Sequence, residues 1–306
     1  MKKVGYIYNP VYLKHDTGEG HPERPERVKV IDEALAPLKP NLIDIQPRRA
    51  TAREIALVHD YYYPQEIMDL CSAGGTWLDP DTRCSIFSYE AATYAAGAGL
   101  SAVDAIQEGK VNRVFANVRP PGHHAEYSKA MGFCIFNNIA IAARYAQQKG
   151  FEKIFIVDFD AHHGNGTQKA FYEDDTVFYF STHQYPFYPG TGSKDEVGRG
   201  KGKGYTFNVP LPAGTGDETY HQIYSEILPE LVHKFNPDII MVSAGYDLHK
   251  DDPLAQLEVS TQGVGDIVEN ILKTKNVPSL FMLEGGYNLQ ALAESALTTV
   301  EKMLTV

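Results

Sequence analysis

Residues 153–168 read KIFIVDFDAHHGNGTQ, and the fold turns on how that stretch changes character halfway along. Its first half is a short run of β-branched and aromatic residues, the composition of a buried strand. Its second half is Asp, His, Gly and Asn, the composition of a loop. A strand is therefore expected over residues 153–159. Side chains alternate faces along a strand, so Asp158, Asp160 and His162 are expected to point the same way.

The same change of character recurs along the chain. Strands are expected over residues 4–8, 113–118, 176–181, 205–209, 238–243 and 279–283. Between them lie helical patterns near residues 23–35, 89–107, 138–148, 219–235, 263–273 and 289–303, with Ser88 and Ser260 as candidate caps. No repeat or linker-like composition interrupts them. The alternation predicts one α/β domain over residues 1–306, a central parallel sheet flanked by helices. Four expected strands run into polar loops: RPPGHHA (119–125), DAHHGNGT (160–167), AGYD (244–247) and EGGYN (284–288). Open α/β sheets bind ligands at the carboxyl ends of their strands, so these loops are expected to converge on one active site.

Composition narrows the function. The 306 residues contain no apolar run near the ~20 residues that span a bilayer. The opening MKKVGYIYNPVYL reads as a first strand rather than a signal peptide, which makes the cytoplasm the expected location. Cys71, Cys84 and Cys134 are far apart without CxxC spacing, which argues for packed thiols and against a disulfide framework or a cysteine zinc site. A net charge of −11 disfavours nucleic acid and suits a cationic partner such as a lysine-rich peptide or a polyamine. Nothing in the chain fixes an oligomeric state.

Alone, an Asp-x-Asp at a strand end serves as well for a cap or a loop hydrogen bond as for a metal. A following HHGNGT and a second His-His pair in a Pro/Gly-rich loop are hard to explain structurally. Asp160 and His162, with Asp247 closing from a neighbouring loop, make an oxygen/nitrogen set suited to a catalytic Zn²⁺, and Fe²⁺ or Co²⁺ also fit it.

RPPGHHA (119–125), GFCIFNN (132–138), DFDAHHGNGTQ (158–168), FYPGTG (187–192), SAGYD (243–247), Asp252-Pro253 and LEGGYN (283–288) resemble the zinc-dependent histone deacetylase superfamily, which includes acetylpolyamine amidohydrolases and acetoin-utilisation proteins. The resemblance runs from HPERPERV (21–28) to the last helix. Asn165, where class I members carry aspartate, makes it look closest to class II enzymes and their bacterial relatives. It implies the arginase-deacetylase fold and a deacetylase of linear amides. It also implies zinc on Asp160, His162 and Asp247, with Asp158 orienting His123 and Asn165 orienting His124. Tyr287 would be the transition-state tyrosine, and Gly132, Phe133 and Tyr188 would line the acyl channel. A monovalent cation, usually K⁺, would lie beneath, held by Asp158, by carbonyls of Asp160 and His162, and by Ser181 and Thr182.

From these pairings, His123 beside ionised Asp158 is expected to be cationic, and His124 beside neutral Asn165 to be the general base. In polyamine-selective relatives a glutamate reads the second amine at the place where this chain has Leu254. An acylated lysine in a protein or peptide is therefore the expected substrate, with small acetylated amines as the alternative and a silent acetyl-lysine reader as a third reading. A binuclear manganese ureohydrolase shares the fold, but the ligands suffice for one metal. Gly74–Ser88 is expected to form one rim, where Asp79 or Asp81 would meet the substrate or merely flank Pro80 in a turn. His59, His221, His233 and His249 are expected to be structural or superficial, His163 and His183 to support loops, and Tyr61, Tyr62 and Tyr63 to be packing residues.

Overall fold

Strand, turn and helix follow one another along the chain as its apolar pattern predicts. The computed structural model describes residues 2–306. The strands are β1 (Val4–Ile7), β2 (Ile43–Asp44), β3 (Trp77–Asp79), β4 (Thr82–Arg83), β5 (Arg113–Ala116), β6 (Ile154–Asp158), β7 (Val177–Gln184), β8 (Thr206–Leu211), β9 (Ile239–Ala244) and β10 (Ser279–Leu283). β3 and β4 form a separate antiparallel hairpin, and the other eight form one sheet in the order β2-β1-β5-β10-β9-β6-β7-β8. Every pairing in that sheet is parallel. All residues of β5, β6, β9 and β10 are buried, which is why these strands read as unbroken apolar runs rather than as alternation.

The helices are α1 (Glu26–Ala34), α2 (Ala52–Ile55), α3 (Tyr63–Ser72), α4 (Ser88–Gln107), α5 (Asn138–Gln148), α6 (Asn165–Phe171), α7 (Asp217–Gln222), α8 (Leu228–Phe235), α9 (Thr261–Thr274) and α10 (Leu289–Thr305). The chain lays down β5, β6, β7 and β8 in one direction, then returns with β9 and β10 into the gap between β5 and β6. Right-handed crossovers put the outgoing and returning helices on opposite faces. Accordingly α4 packs on α5, while α8, α9, α10 and α1 pack in succession. No helix among the described residues is long and apolar enough to cross a membrane.

Three local expectations need correcting. The helix expected over residues 219–235 is interrupted by a π-helical turn at Ile223–Ile227. Pro229 follows it and lacks the N–H that would bond the preceding turn. Ser88 lies inside α4 and caps nothing, because its hydroxyl accepts from Ser85 N at 2.7 Å. Ser260 does cap α9, accepting from Gly263 N. Of the three tyrosines only Tyr63 is buried, in the first turn of α3, and Tyr61 and Tyr62 are exposed.

Candidate active site

β5, β10, β9 and β6 are consecutive neighbours in the sheet, so the four polar loops that follow them share one edge. The strand ends at Asp158, and beyond it the chain turns instead of continuing the alternation. Asp158 Oδ1 accepts from Asp160 N at 3.2 Å, and Asp160 Oδ1 accepts from His162 N at 2.8 Å. Each carboxylate thus bends the backbone two residues on, and these local bonds, not strand pleating, bring the three side chains together.

Asp160, His162 and Asp247 each present a ligand atom within 4.8 Å of the others. His162 Nδ1 lies 3.1 Å from Asp160 Oδ1 and 2.9 Å from Asp247 Oδ2. Neighbouring loops aim the carboxylates: Gly285 N donates to Asp160 Oδ2 and Ala161 N to Asp247 Oδ1, both at 2.8 Å. No side chain fits behind them. A Cβ on Gly245 would come within 2.0 Å of Asp160 Oδ2, and one on Gly285 within 2.2 Å of Asp247 Oδ2.

Electrostatics give the same demand. Burial opposes a charge on His162, but the Asp247 charge and hydrogen bonds to both carboxylates outweigh it and hold its pKa at about 10. Burial would raise Asp160, yet the charges on His123 and His162 keep it below the usual carboxylate range. Burial and the Asp160 charge push Asp247 up to about 7. Two buried carboxylates converging on one imidazole nitrogen require positive charge between them, and an oxygen/nitrogen set of three suits a divalent ion that keeps an open coordination position.

The β5 loop supplies the histidine pair. Its backbone is clamped by Glu284, whose Oε2 accepts from Gly122 N at 2.6 Å and His123 N at 3.1 Å. His123 Nδ1 pairs with Asp158 Oδ2 at 3.0 Å, and the same oxygen accepts from the Tyr179 hydroxyl at 3.1 Å. His124 Nδ1 meets Asn165 Oδ1 at 2.7 Å. Burial disfavours charge on both rings. Asp158 and Asp160 overcome it at His123, whose pKa lies well above the ordinary value. At His124 the positive charges of His123 and His162 add to burial, and its pKa lies well below it.

Tyr287 follows the glycine turn after β10, with its N–H donated to Asp252 Oδ2 at 2.7 Å. Burial first, then the Asp247 charge, pushes its pKa well up, so the phenol keeps its proton. The same Asp252 accepts from Leu254 N at 2.9 Å, which ties Leu254 to the Tyr287 turn. The Phe133 ring meets Tyr287 edge-on at 5.8 Å, and Tyr188 meets His124 edge-on at 5.3 Å. Phe133 has a φ of 68°, a left-handed conformation costly for a bulky side chain. The β3–β4 hairpin braces it: Asp81 Oδ1 accepts from Gly132 N at 3.1 Å and Thr82 Oγ1 from Phe133 N at 3.0 Å. Asp81 is thus engaged in bracing the wall, while Asp79 lies 3.7 Å from Lys129. Ser181 stands in register beside Asp158, with its hydroxyl bonded to His183 Nδ1, and the Thr182 hydroxyl bonds Tyr224.

Sequence reading did not single out Glu284, Arg27, Glu126 or Phe187. Phe187 stacks on His162 with ring centroids 5.1 Å apart. Arg27 donates to Gly286 O and Glu284 O and lies 5.0 Å from the Tyr287 ring centroid. Glu284 carried a usable signal, an acid at the end of a buried apolar strand. Arg27 pairs locally with Glu23, but the carbonyls that tie it to the site lie more than 250 residues away, and local pattern carries no signal of them. Among the remaining histidines, His163 bonds Thr191 and Gln168, His183 bonds Gly192 O, and His59 bonds Glu126 O.

A parallel sheet with this cluster on its carboxyl edge is the arginase-deacetylase architecture, and a solved structure agrees over almost the whole chain. The crystal structure of the HDA15 HD domain superposes with a TM-score of 0.95 at 36% identity, covering 99% of this chain and 88% of that one. The chain belongs to the histone deacetylase family: the family model of the histone deacetylase domain matches residues 21–303. A probable deacetylase of Archaeoglobus fulgidus is 38% identical over 94% of this chain and 82% of its own. Histone deacetylase 14, chloroplastic, of Arabidopsis thaliana is 42% identical over 94% of this chain and 73% of its own. The protein is a hydrolytic deacetylase.

Proposed function

We propose that this deacetylase cleaves the amide of acetylated or otherwise acylated lysine side chains in proteins or peptides, with Zn²⁺ held by Asp160, His162 and Asp247. The observation that carries the chemistry is the unlike pair of histidines beside the ligand trio, one facing a carboxylate and the other an amide. Zinc in such a site supplies an acidified water and a Lewis acid for the acyl oxygen, and Fe²⁺ or Co²⁺ can fill the same role. His124, neutral at its free nitrogen, takes the proton from the attacking water. His123, charged beside Asp158, delivers a proton to the leaving amine. The Tyr287 hydroxyl donates to the oxygen as it becomes negative. Phe133 and Tyr188 flank the acyl chain, with Gly132 leaving room beside His124. Asp158, the carbonyls of Asp160 and His162, and the Ser181–Thr182 segment would hold K⁺ beneath the site.

The aliphatic Leu254 beside the Tyr287 turn favours lysine over a polyamine, since it offers no charge to a second amine. A second reading, small acetylated amines, draws support from Asp79 and Asp81, two acids close together at the rim. Turnover of an acetyl-lysine peptide, a longer acyl-lysine peptide, acetylspermidine and acetylputrescine by zinc-loaded protein separates the two. Peptide turnover lost in Asp247→Ala, together with the bound metal, is expected. Preference for the polyamines would overturn the lysine reading, and full activity in Asp247→Ala would overturn the site.

A further inference from the structure

The amide of Asn165 has two ends of nearly the same shape, one an acceptor and one a donor. Which end faces His124 decides which nitrogen of that ring carries the proton. Asp158, facing His123, poses no such choice, because a carboxylate accepts from either oxygen. Glu126 weighs most in the choice at Asn165, beside two longer contacts of the Asn165 Nδ2 to Met131 Sδ at 3.4 Å and His124 O at 3.5 Å. Glu126 Oε1 lies 3.0 Å from Asn165 Nδ2, and a carboxylate can only accept. The amide nitrogen is therefore turned to Glu126 and the oxygen, at 2.7 Å, to His124 Nδ1. His124 must then donate from Nδ1 and keep its lone pair on Nε2.

Glu126 is itself held from the other side, with Lys169 Nζ 2.8 Å from its Oε2. Asn165 and Lys169 are one turn apart on α6, so helix and loop together form a line of bonds from the surface to His124. Glu126, Asn165 and Lys169 also line a surface cleft of about 950 Å³, so the carboxylate is not core packing. We infer that Glu126 is a positioning residue that fixes the Nδ1–H form of His124 through Asn165. The inference rests on the reading of His124 as the base.

Glu126→Gln keeps the shape but lets either end of Asn165 find a partner. Long-range ¹⁵N–¹H spectra of histidine-labelled, zinc-loaded protein, with His124→Ala for assignment, read the ring directly. Wild type is expected to show the Nδ1–H form of His124 and Glu126→Gln a mixture. kcat should fall roughly two- to tenfold with KM unchanged, in proportion to the competent fraction. Adding Asn165→Asp to Glu126→Gln restores an acceptor facing His124 in either orientation and should restore the single form. A single Nδ1–H form persisting in Glu126→Gln would overturn the inference. A mixed form with undiminished kcat would uphold the relay and remove His124 as the base.

Discussion

Gly245 and Gly285 back directly onto the carboxylates of Asp160 and Asp247, leaving their oxygens nowhere to retreat. Gly285→Ala is therefore expected to weaken metal binding at least ~10-fold, the usual cost of disturbing groups that orient ligands. Competition against a chelator of known affinity measures it, and unchanged affinity would mean that the cradle yields. Tyr287→Phe removes one donor and no packing. Its kcat should drop ~10²–10³-fold with metal content and Tm retained. Near-normal turnover would take the oxyanion role from that hydroxyl.

At the level of elements, the hairpin β3–β4 matters because it fixes a wall that is strained by itself. Thr82→Val keeps the shape and removes the acceptor for Phe133 N. Leaving this part-buried N–H unpaired costs at most about 1–3 kcal/mol, so the wall should loosen and KM rise several-fold with metal affinity unchanged. An unchanged KM would make the hairpin ornamental to the channel. That hairpin was also the least legible part of the sequence. β6, β9 and β10 announce themselves as apolar runs breaking into Gly, His and Asp, and the breaks after β6 and β9 contain Asp160, His162 and Asp247, which the structure brings together. Residues 77–83 form two short strands whose role depends on Gly132 and Phe133, some fifty positions away. Local pattern carries no trace of such a contact. The π turn before Pro229 escaped for the opposite reason, because amphipathic periodicity masked a purely backbone conflict.

For the molecule as a whole, buried neutral histidines contribute to its sensitivity to acid. Burial lowers the pKa of His59 to about 4, of His183 to about 4 and of His15 to about 3. Above pH ~6.5 folded and unfolded chains both hold these rings neutral, and stability is intact. As pH falls from there toward 4, the unfolded chain alone takes up protons, and stability is lost. For His59 the difference corresponds to about 3 kcal/mol. Between pH 6.5 and 4 the Tm of the wild type should fall relative to that of His59→Gln. Parallel Tm curves for the two proteins would show that His59 is not part of this response.

The return of β9 and β10 into the middle of the sheet has a consequence for biogenesis. The last two strands to leave the ribosome are the ones that fill its centre. Until they dock, β5 and β6 stand as bare facing edges, and both Asp247 and Tyr287 are missing from the carboxyl rim. A nascent chain stalled before residue 239 thus carries Asp160 and His162 without their third partner, and two sticky edges with nothing between them. The trio that could hold a metal is complete only once β9 and the loop after it have been made.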